Sequence, residues 1–334
     1  MAMEAIECTE RSFTCANGNA IATKVWGGPS PKRIMALHGY LDNCGTFELL
    51  APVLAKAGFQ CVAMDFPGHG KSDHLSKDSW YGMLDYPGPV LETMRAMGWS
   101  KCTLVGHSMG AAVASLVAAS FPEVVEACVF IETLGPLSMS PAGAPAHLRR
   151  SLESQGALVN KDRSKSLSFD DAVEARLKTV KLFGDNASLS REGAVSLVSR
   201  ATAPAGTDDG AVKFINDVRL RAYSPGYLSE DQVHAFLGAV RCPCLLVTGE
   251  KGMLNGSQTR ARQEVMGPGL LRHVCLPGSH HLHLDPESFP KVAAEVLSFL
   301  QETSGEPEGA GGQVQPHLPE SGEPQGGPGA SSSL

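Results

Sequence analysis

Residues 101–120 read KCTLVGHSMGAAVASLVAAS, and the order of side chains in this stretch sets the architecture around it. Residues 101–105 have the length and apolar content of a short buried strand, and the small residues 111–119 favour a helix. Between them, Gly106-His107-Ser108-Met109-Gly110 must turn the chain from strand to helix within a few residues. Such a nucleophile elbow forces its central residue into strained dihedrals and brings neighbouring backbones close, which glycine at both flanks allows. The Ser108 hydroxyl is thereby expected at the N-terminus of the helix. There the helix dipole and the N–H of Met109 favour a developing oxyanion.

Upstream, residues 12–15 and 20–26 flank Asn17-Gly18, a dipeptide that favours a tight hairpin, so the chain is expected to open on two antiparallel strands. Residues 33–37 form the next strand and deliver His38-Gly39-Tyr40-Leu41-Asp42-Asn43 to its carboxyl end, where sites assemble in open α/β sheets. Gly39 permits a tight turn there, which makes the N–H of Tyr40 the second candidate oxyanion donor beside that of Met109. A helix is expected over 47–57, a strand over 60–64, and a helix made irregular by Pro87 and Pro89 over 78–97. In the Gly- and Pro-rich turn 65–72, Asp65 reads as a carboxylate tying loops together, with a catalytic role as the alternative. Downstream of the elbow, the strand 124–131 delivers Glu132.

From 133 to about 240 the alternation of strand and helix stops. Helical stretches are expected near 146–155, 169–181 and 191–201, with Ser168 and Asp171 forming a cap-like start and Ser229-Glu230-Asp231-Gln232 opening one last helix. Val173, Leu177 and Val180 recur at helical spacing and read as packing between this segment and the core. The segment is expected to be a mostly helical cap whose apolar faces roof the elbow and shape a substrate pocket. Strands return at 244–248 and 271–276, and an amphipathic helix follows over 289–300. The expected organisation is a core over 1–132, a cap over 133–240, the rest of the core over 241–302, and a tail over 303–334. That tail has eight Gly and five Pro and too few apolar residues to order itself.

A formal net charge of −7, with no run of Lys or Arg, lacks the electrostatic footprint of a nucleic-acid binder. There is no charged leader followed by an apolar segment and no apolar run of membrane-spanning length, so a cytoplasmic location is expected. The final Ser-Ser-Leu lacks the lysine of a peroxisomal address. Nothing in the chain specifies an oligomeric state. Nine scattered cysteines without a repeated C-x-x-C pair fit a reducing compartment, and Cys61, Cys102, Cys128, Cys244 and Cys275 fall in expected strands as small buried hydrophobes. Cys242 and Cys244 straddle Pro243 without a second pair to complete a metal site.

A serine hydroxyl needs a neutral imidazole to take its proton and a carboxylate to hold that imidazole in the right tautomer. The sequence after the last strand supplies His280, His281 and His283, a trio without carboxylate partners at helical spacing and therefore a poor zinc site.

Taken together, residues 38–43, 65–70, 106–110 and the terminal histidine cluster resemble the α/β-hydrolase superfamily, and in detail its serine hydrolase-like members, over residues 12–301. The resemblance implies the α/β-hydrolase fold, a mostly parallel sheet with helices on both faces and an inserted helical cap. His280, His283, Leu284 and Asp285 match the family's closing segment, which makes His280 the expected base and His281 the alternative. The triad acid departs from the family pattern. Its commonest position, three residues past the glycine in the loop after 244–248, holds Gly252. Glu132 and Glu250 are the substitutes, and both keep the chain order Ser, acid, His. Glu132 is preferred, because the orienting carboxylate must reach His280 without rearrangement of a loop.

The expected activity is that of a cofactor-free, carboxylesterase-like serine hydrolase acting on a small ester-type substrate. Ser108, His280 and Glu132 form its triad, and the N–H groups of Tyr40 and Met109 its oxyanion hole. Serine at the elbow argues against the branches that use a carboxylate nucleophile. The alternatives are a non-catalytic small-molecule binding protein on the same fold and a cofactor-free lyase or oxygenase.

Overall fold

The chain opens on a hairpin, β1 (Cys8–Thr14) and β2 (Ala20–Trp26), and Gly18 takes the positive φ of 85° that the Asn17-Gly18 turn requires. Next come β3 (Arg33–Leu37), α1 (Leu50–Lys56), β4 (Gln60–Met64), α2 (Pro87–Ala96), β5 (Cys102–His107), α3 (Met109–Ser120) and β6 (Val125–Ile131). The computed structural model describes residues 6–159, 166–181, 188–206, 210–253 and 256–304. Most of the expected unstructured tail lies outside them, although the last helix runs to Thr303.

After β6 the chain leaves the sheet through α4 (Ala144–Val159), α5 (Phe169–Val180), α6 (Arg191–Ala201), a small hairpin β7 (Thr202–Pro204) and β8 (Val212–Phe214), and α7 (Glu230–Ala239). It returns as β9 (Cys244–Lys251), α8 (Ser257–Glu264), β10 (Leu271–Ser279) and α9 (Phe289–Thr303). The eight sheet strands run in the order β1-β2-β4-β3-β5-β6-β9-β10. β1 and β2 are antiparallel to their neighbours, and every later pairing is parallel.

Parallel strands covered on both faces are expected to be largely apolar, and β5 and β6 follow this apart from Thr103 and His107 in β5 and the exposed Glu126 near the start of β6. Leu104, Cys128 and Phe130 face one core layer with α3, while Val105, Val129 and Ile131 face the other with α1 and α9. The alanines of α3 let that helix lie close against the sheet. A third apolar cluster joins Val173 and Val180 of α5 to Leu197 and Val198 of α6 and to Leu284 of the last loop, which seats these inserted helices on the core. The helix starts at Ser168 and Ser229 are capped as expected: each hydroxyl accepts the backbone N–H three residues on, and Gln232 completes a capping box.

Three local expectations change. The helix expected over 78–97 begins at Pro87, because proline is suited to the first turn and residues 76–82 follow a loop. Cys275 is exposed, since β10 is an edge strand with solvent on one side. The small hairpin of β7 and β8 interrupts the otherwise helical insert. Among the described residues no helix is long and apolar enough to cross a membrane.

Candidate active site

Ser108 sits between β5 and α3 at φ 51° and ψ −118°, a conformation that a non-glycine residue adopts only under constraint. Its N–H donates to Ile131 O at 2.9 Å, which ties the turn to β6. Both flanking glycines are sterically required. A Cβ at Gly110 would stand 2.0 Å from Leu37 O, and one at Gly106 would stand 2.5 Å from Ala111 N. Met109 is the first residue of α3, so its N–H has no acceptor within the helix.

The non-glycine residues with positive φ among those described are Leu41, Ser108 and Glu132, and each follows the carboxyl end of a parallel strand. Strain of this kind concentrates where function holds the backbone. At Glu132 the φ of 63° accompanies a fully buried carboxylate that accepts N–H groups from Gly249 and Met253, the latter at 3.0 Å. Its Oε2 lies 3.1 Å from His280 Nδ1. Glu250, the other candidate acid, is exposed. Of the two carboxylates, Glu132 is the one brought to the His280 imidazole, through Nδ1.

Tyr40 precedes Leu41, the positive-φ residue of the loop after β3, and that loop is fixed by His38. Phe66 N–H donates to His38 Nε2 at 2.9 Å, which leaves Nδ1 protonated and donating to Gly39 O at 2.7 Å. Asp65 holds the neighbouring loop by accepting from Cys44 N at 2.7 Å and Lys71 N at 2.8 Å, and it pairs with Arg200 Nε at 2.7 Å. Its role is the loop tie expected of it.

His281 turns away from Glu132 and toward Asp42, with Nε2 3.3 Å from Oδ2. Asp42 also pairs with Arg176 of α5, and His107 Nδ1 stands 3.6 Å from the same Oδ2. Burial acts to raise the Asp42 pKa, but Arg176 and the two histidines outweigh it and hold the carboxyl well below its usual range. Burial pushes His281 down to about 3 against the pull of Asp42, and it lowers His107 in the same way. Both imidazoles are neutral at pH 7. His107 Nε2 donates to His280 O at 2.9 Å, so the variable residue inside the elbow anchors the backbone of the expected base.

Ser108, Met109, Tyr40, His280 and His281 line one cavity of about 500 Å³, walled otherwise mainly by tyrosine, leucine and methionine side chains. The positioning roles of Asp42, His107 and Arg176 were not read from the sequence. Asp42 and His107 stand inside quoted motifs, whereas Arg176 occupies an ordinary helical position in the insert and carries no local signal.

Two groups have the spacing of metal ligands. Asp42, His107 and His281 form one, but the Arg176 guanidinium already neutralises its only anion. The other unites Cys242 and Cys244 with Cys128 of β6, a third thiol supplied by strand pairing, with the Cys242 and Cys128 sulfurs 3.8 Å apart.

The family model for the alpha/beta hydrolase fold matches residues 32–286. A serine hydrolase-like protein of Dictyostelium discoideum is 31% identical over 88% of this chain and 82% of its own length. One from Danio rerio is 29% identical over 84% of this chain and 85% of its own. A hypothetical protein of Pseudomonas aeruginosa PAO1 superposes with a TM-score of 0.78 at 35% identity, covering 87% of this chain and 98% of that one. With the elbow, the sheet order and these likenesses in hand, the chain belongs to the α/β-hydrolase fold family and is a serine hydrolase-like member of it.

Proposed function

We propose that this protein is a serine hydrolase that cleaves a carboxylic ester, or a related acyl bond, through an acyl-enzyme. The observation that carries the reading is the 3.1 Å contact between buried Glu132 and His280 Nδ1, in a cavity that Ser108 also lines. Hydrogen bonding to Glu132 holds the proton on Nδ1 and leaves the Nε2 lone pair to accept the Ser108 proton as Oγ attacks the carbonyl carbon. The carbonyl electron pair moves to oxygen, where the N–H groups of Met109 and Tyr40 stabilise it; one such donor is worth about 3–4 kcal/mol. Collapse of the tetrahedral species breaks the bond to the leaving alcohol, which takes the proton from His280. Water then repeats the sequence on the acyl-enzyme and releases the acid. No step needs a cofactor.

Relatives named serine hydrolase-like support the use of serine as nucleophile. The test is turnover of a panel of 4-nitrophenyl esters by wild type, Ser108→Ala and His280→Gln. Hydrolysis by wild type that both substitutions abolish is the expected result. Folded wild type that turns over none of the panel would favour the binding-protein alternative.

A further inference from the structure

The short turn Val218–Arg221 carries two arginines that do opposite things. Arg219 is fully employed. Its guanidinium donates to Asp217 Oδ2 at 2.7 Å and to the carbonyls of Leu75, Ser76 and Ser79 at 2.6, 2.6 and 2.7 Å, which clamps the turn to the core. Arg221, two residues on, is exposed at the wall of the cavity that holds Ser108, and its guanidinium makes no hydrogen bond or ion pair among the described residues. It sits by the oxyanion loop: the Tyr40 hydroxyl donates to Leu220 O, and the Arg221 charge opposes the burial that pushes the Tyr40 phenol up to about 12.

The other charges in the cavity wall cancel. Asp42 and Arg176 are the remaining Asp, Glu, Lys or Arg residues that line it among those described, and they are paired with each other. A protein of net charge −7 therefore presents to its substrate one uncompensated cation, on a backbone that Arg219 holds rigid. An apolar pocket with a few fixed polar groups takes its specificity from those groups. A guanidinium matches a carboxylate in both charge and fork geometry.

We propose that Arg221 recognises a carboxylate carried by the substrate apart from the bond that is cleaved, so that the substrate is an anionic acyl compound. This rests on the acyl-transfer reading of the site and names its substrate class.

The test compares matched pairs. The 4-nitrophenyl monoester of adipic acid is set against 4-nitrophenyl hexanoate, which places the charge on the acyl side. Then 4-carboxyphenyl hexanoate is set against phenyl hexanoate, which places it on the leaving side. In one pair the carboxylated ester is expected to show kcat/KM about tenfold above its neutral match at low salt, the low end of one charged hydrogen bond, since Arg221 is exposed. Added salt should shrink that ratio, Arg221→Gln should bring it to about one, and Arg221→Lys should keep part of it. Equal rates within both pairs, or a preference that Arg221→Gln leaves intact, overturns the inference even though ester hydrolysis itself stands. Calorimetry on Ser108→Ala reads the charge preference without turnover, using monomethyl adipate and dimethyl adipate. Tighter binding of the monoester that is lost on adding Arg221→Gln supports the inference, and equal binding of the two overturns it.

Discussion

Gly252 leaves free the space that the Glu132 carboxylate fills: a Cβ at Gly252 would stand 2.1 Å from Glu132 Oε1. At the position where the family resemblance leads one to expect the orienting aspartate, this chain has no side chain at all. A carboxylate, that of Glu132, arrives from the end of β6 instead, received by the N–H groups of Gly249 and Met253 in that loop. The two positions are complementary, and a change at either should disturb His280.

Gly252→Ala is expected to push the carboxylate off the imidazole in a protein that still folds. A displacement of about 1 Å at such a site costs on the order of 10²-fold in rate. Ester turnover beside a thermal melt measures both effects, and unchanged turnover would mean that Glu132 does not orient His280.

Glu132→Gln keeps the shape and removes the charge that fixes the imidazole tautomer, so kcat should fall by about 10³- to 10⁴-fold. Glu250→Gln, at an exposed position, should leave it unchanged. The reverse pattern, full turnover in Glu132→Gln and none in Glu250→Gln, would falsify the assignment of the acid.

The two adjacent histidines should separate by readout. His280→Gln removes the proposed base, which lines the same cavity as Ser108, and should abolish turnover at little cost in stability. His281→Gln removes a partner of buried Asp42 and should lower the melting temperature more than it lowers kcat. An inactive His281→Gln protein of wild-type stability would make His281 the base.

Arg176 and Asp42 form a buried ion pair between α5 and the loop after β3. Removing one partner strands the other charge, so Arg176→Met should cost about 3–5 kcal/mol in urea unfolding. The double change Arg176→Met with Asp42→Asn should recover much of that loss. A double variant as unstable as the sum of its two single changes would show that the pair itself is not what matters.

His38, His69, His107, His281 and His283 are fully buried, and burial lowers the pKa of each, to about 3 for His69 and His281. A folded-state pKa below the unfolded value of about 6.5 contributes stability that is complete above 6.5 and is lost as pH falls toward the folded value, by up to about 1.4 kcal/mol per pH unit for each group. The melting temperature should therefore drop by roughly 10 °C or more between pH 7.5 and 5.5, a span in which ordinary carboxylates barely titrate. A flat profile across that span would contradict the neutral, buried state of these rings.

What was legible in the sequence is what short-range chemistry specifies. Gly106 and Gly110 announce a turn with no room for a Cβ, and the structure has none there. The helix expected over 191–201 is present with those bounds, because Ser190 caps it and its apolar residues Ala194, Leu197 and Val198 pack on one face. Glu132 stands out because it ends a core strand, from which a carboxylate can reach His280 without rearrangement of a loop. Long-range partnerships left no trace. Arg176 looks like any helical arginine until α5 is laid over the loop carrying Asp42, and Cys128 joins Cys242 and Cys244 only when β6 and β9 pair. The helix expected from 78 starts only at Pro87, because proline breaks a helix interior yet is well suited to its first turn.

The most direct test of the central claim is labelling by a fluorophosphonate, which reacts only with an activated serine and needs no knowledge of the substrate. Wild type, Ser108→Ala and Glu132→Gln are compared at equal concentration, with folding checked by circular dichroism. The expected result is strong labelling of wild type, none of Ser108→Ala, and a rate for Glu132→Gln lowered by orders of magnitude. Folded wild type that fails to label, or labelling that survives in Ser108→Ala, would contradict the claim that Ser108, His280 and Glu132 form a working nucleophile.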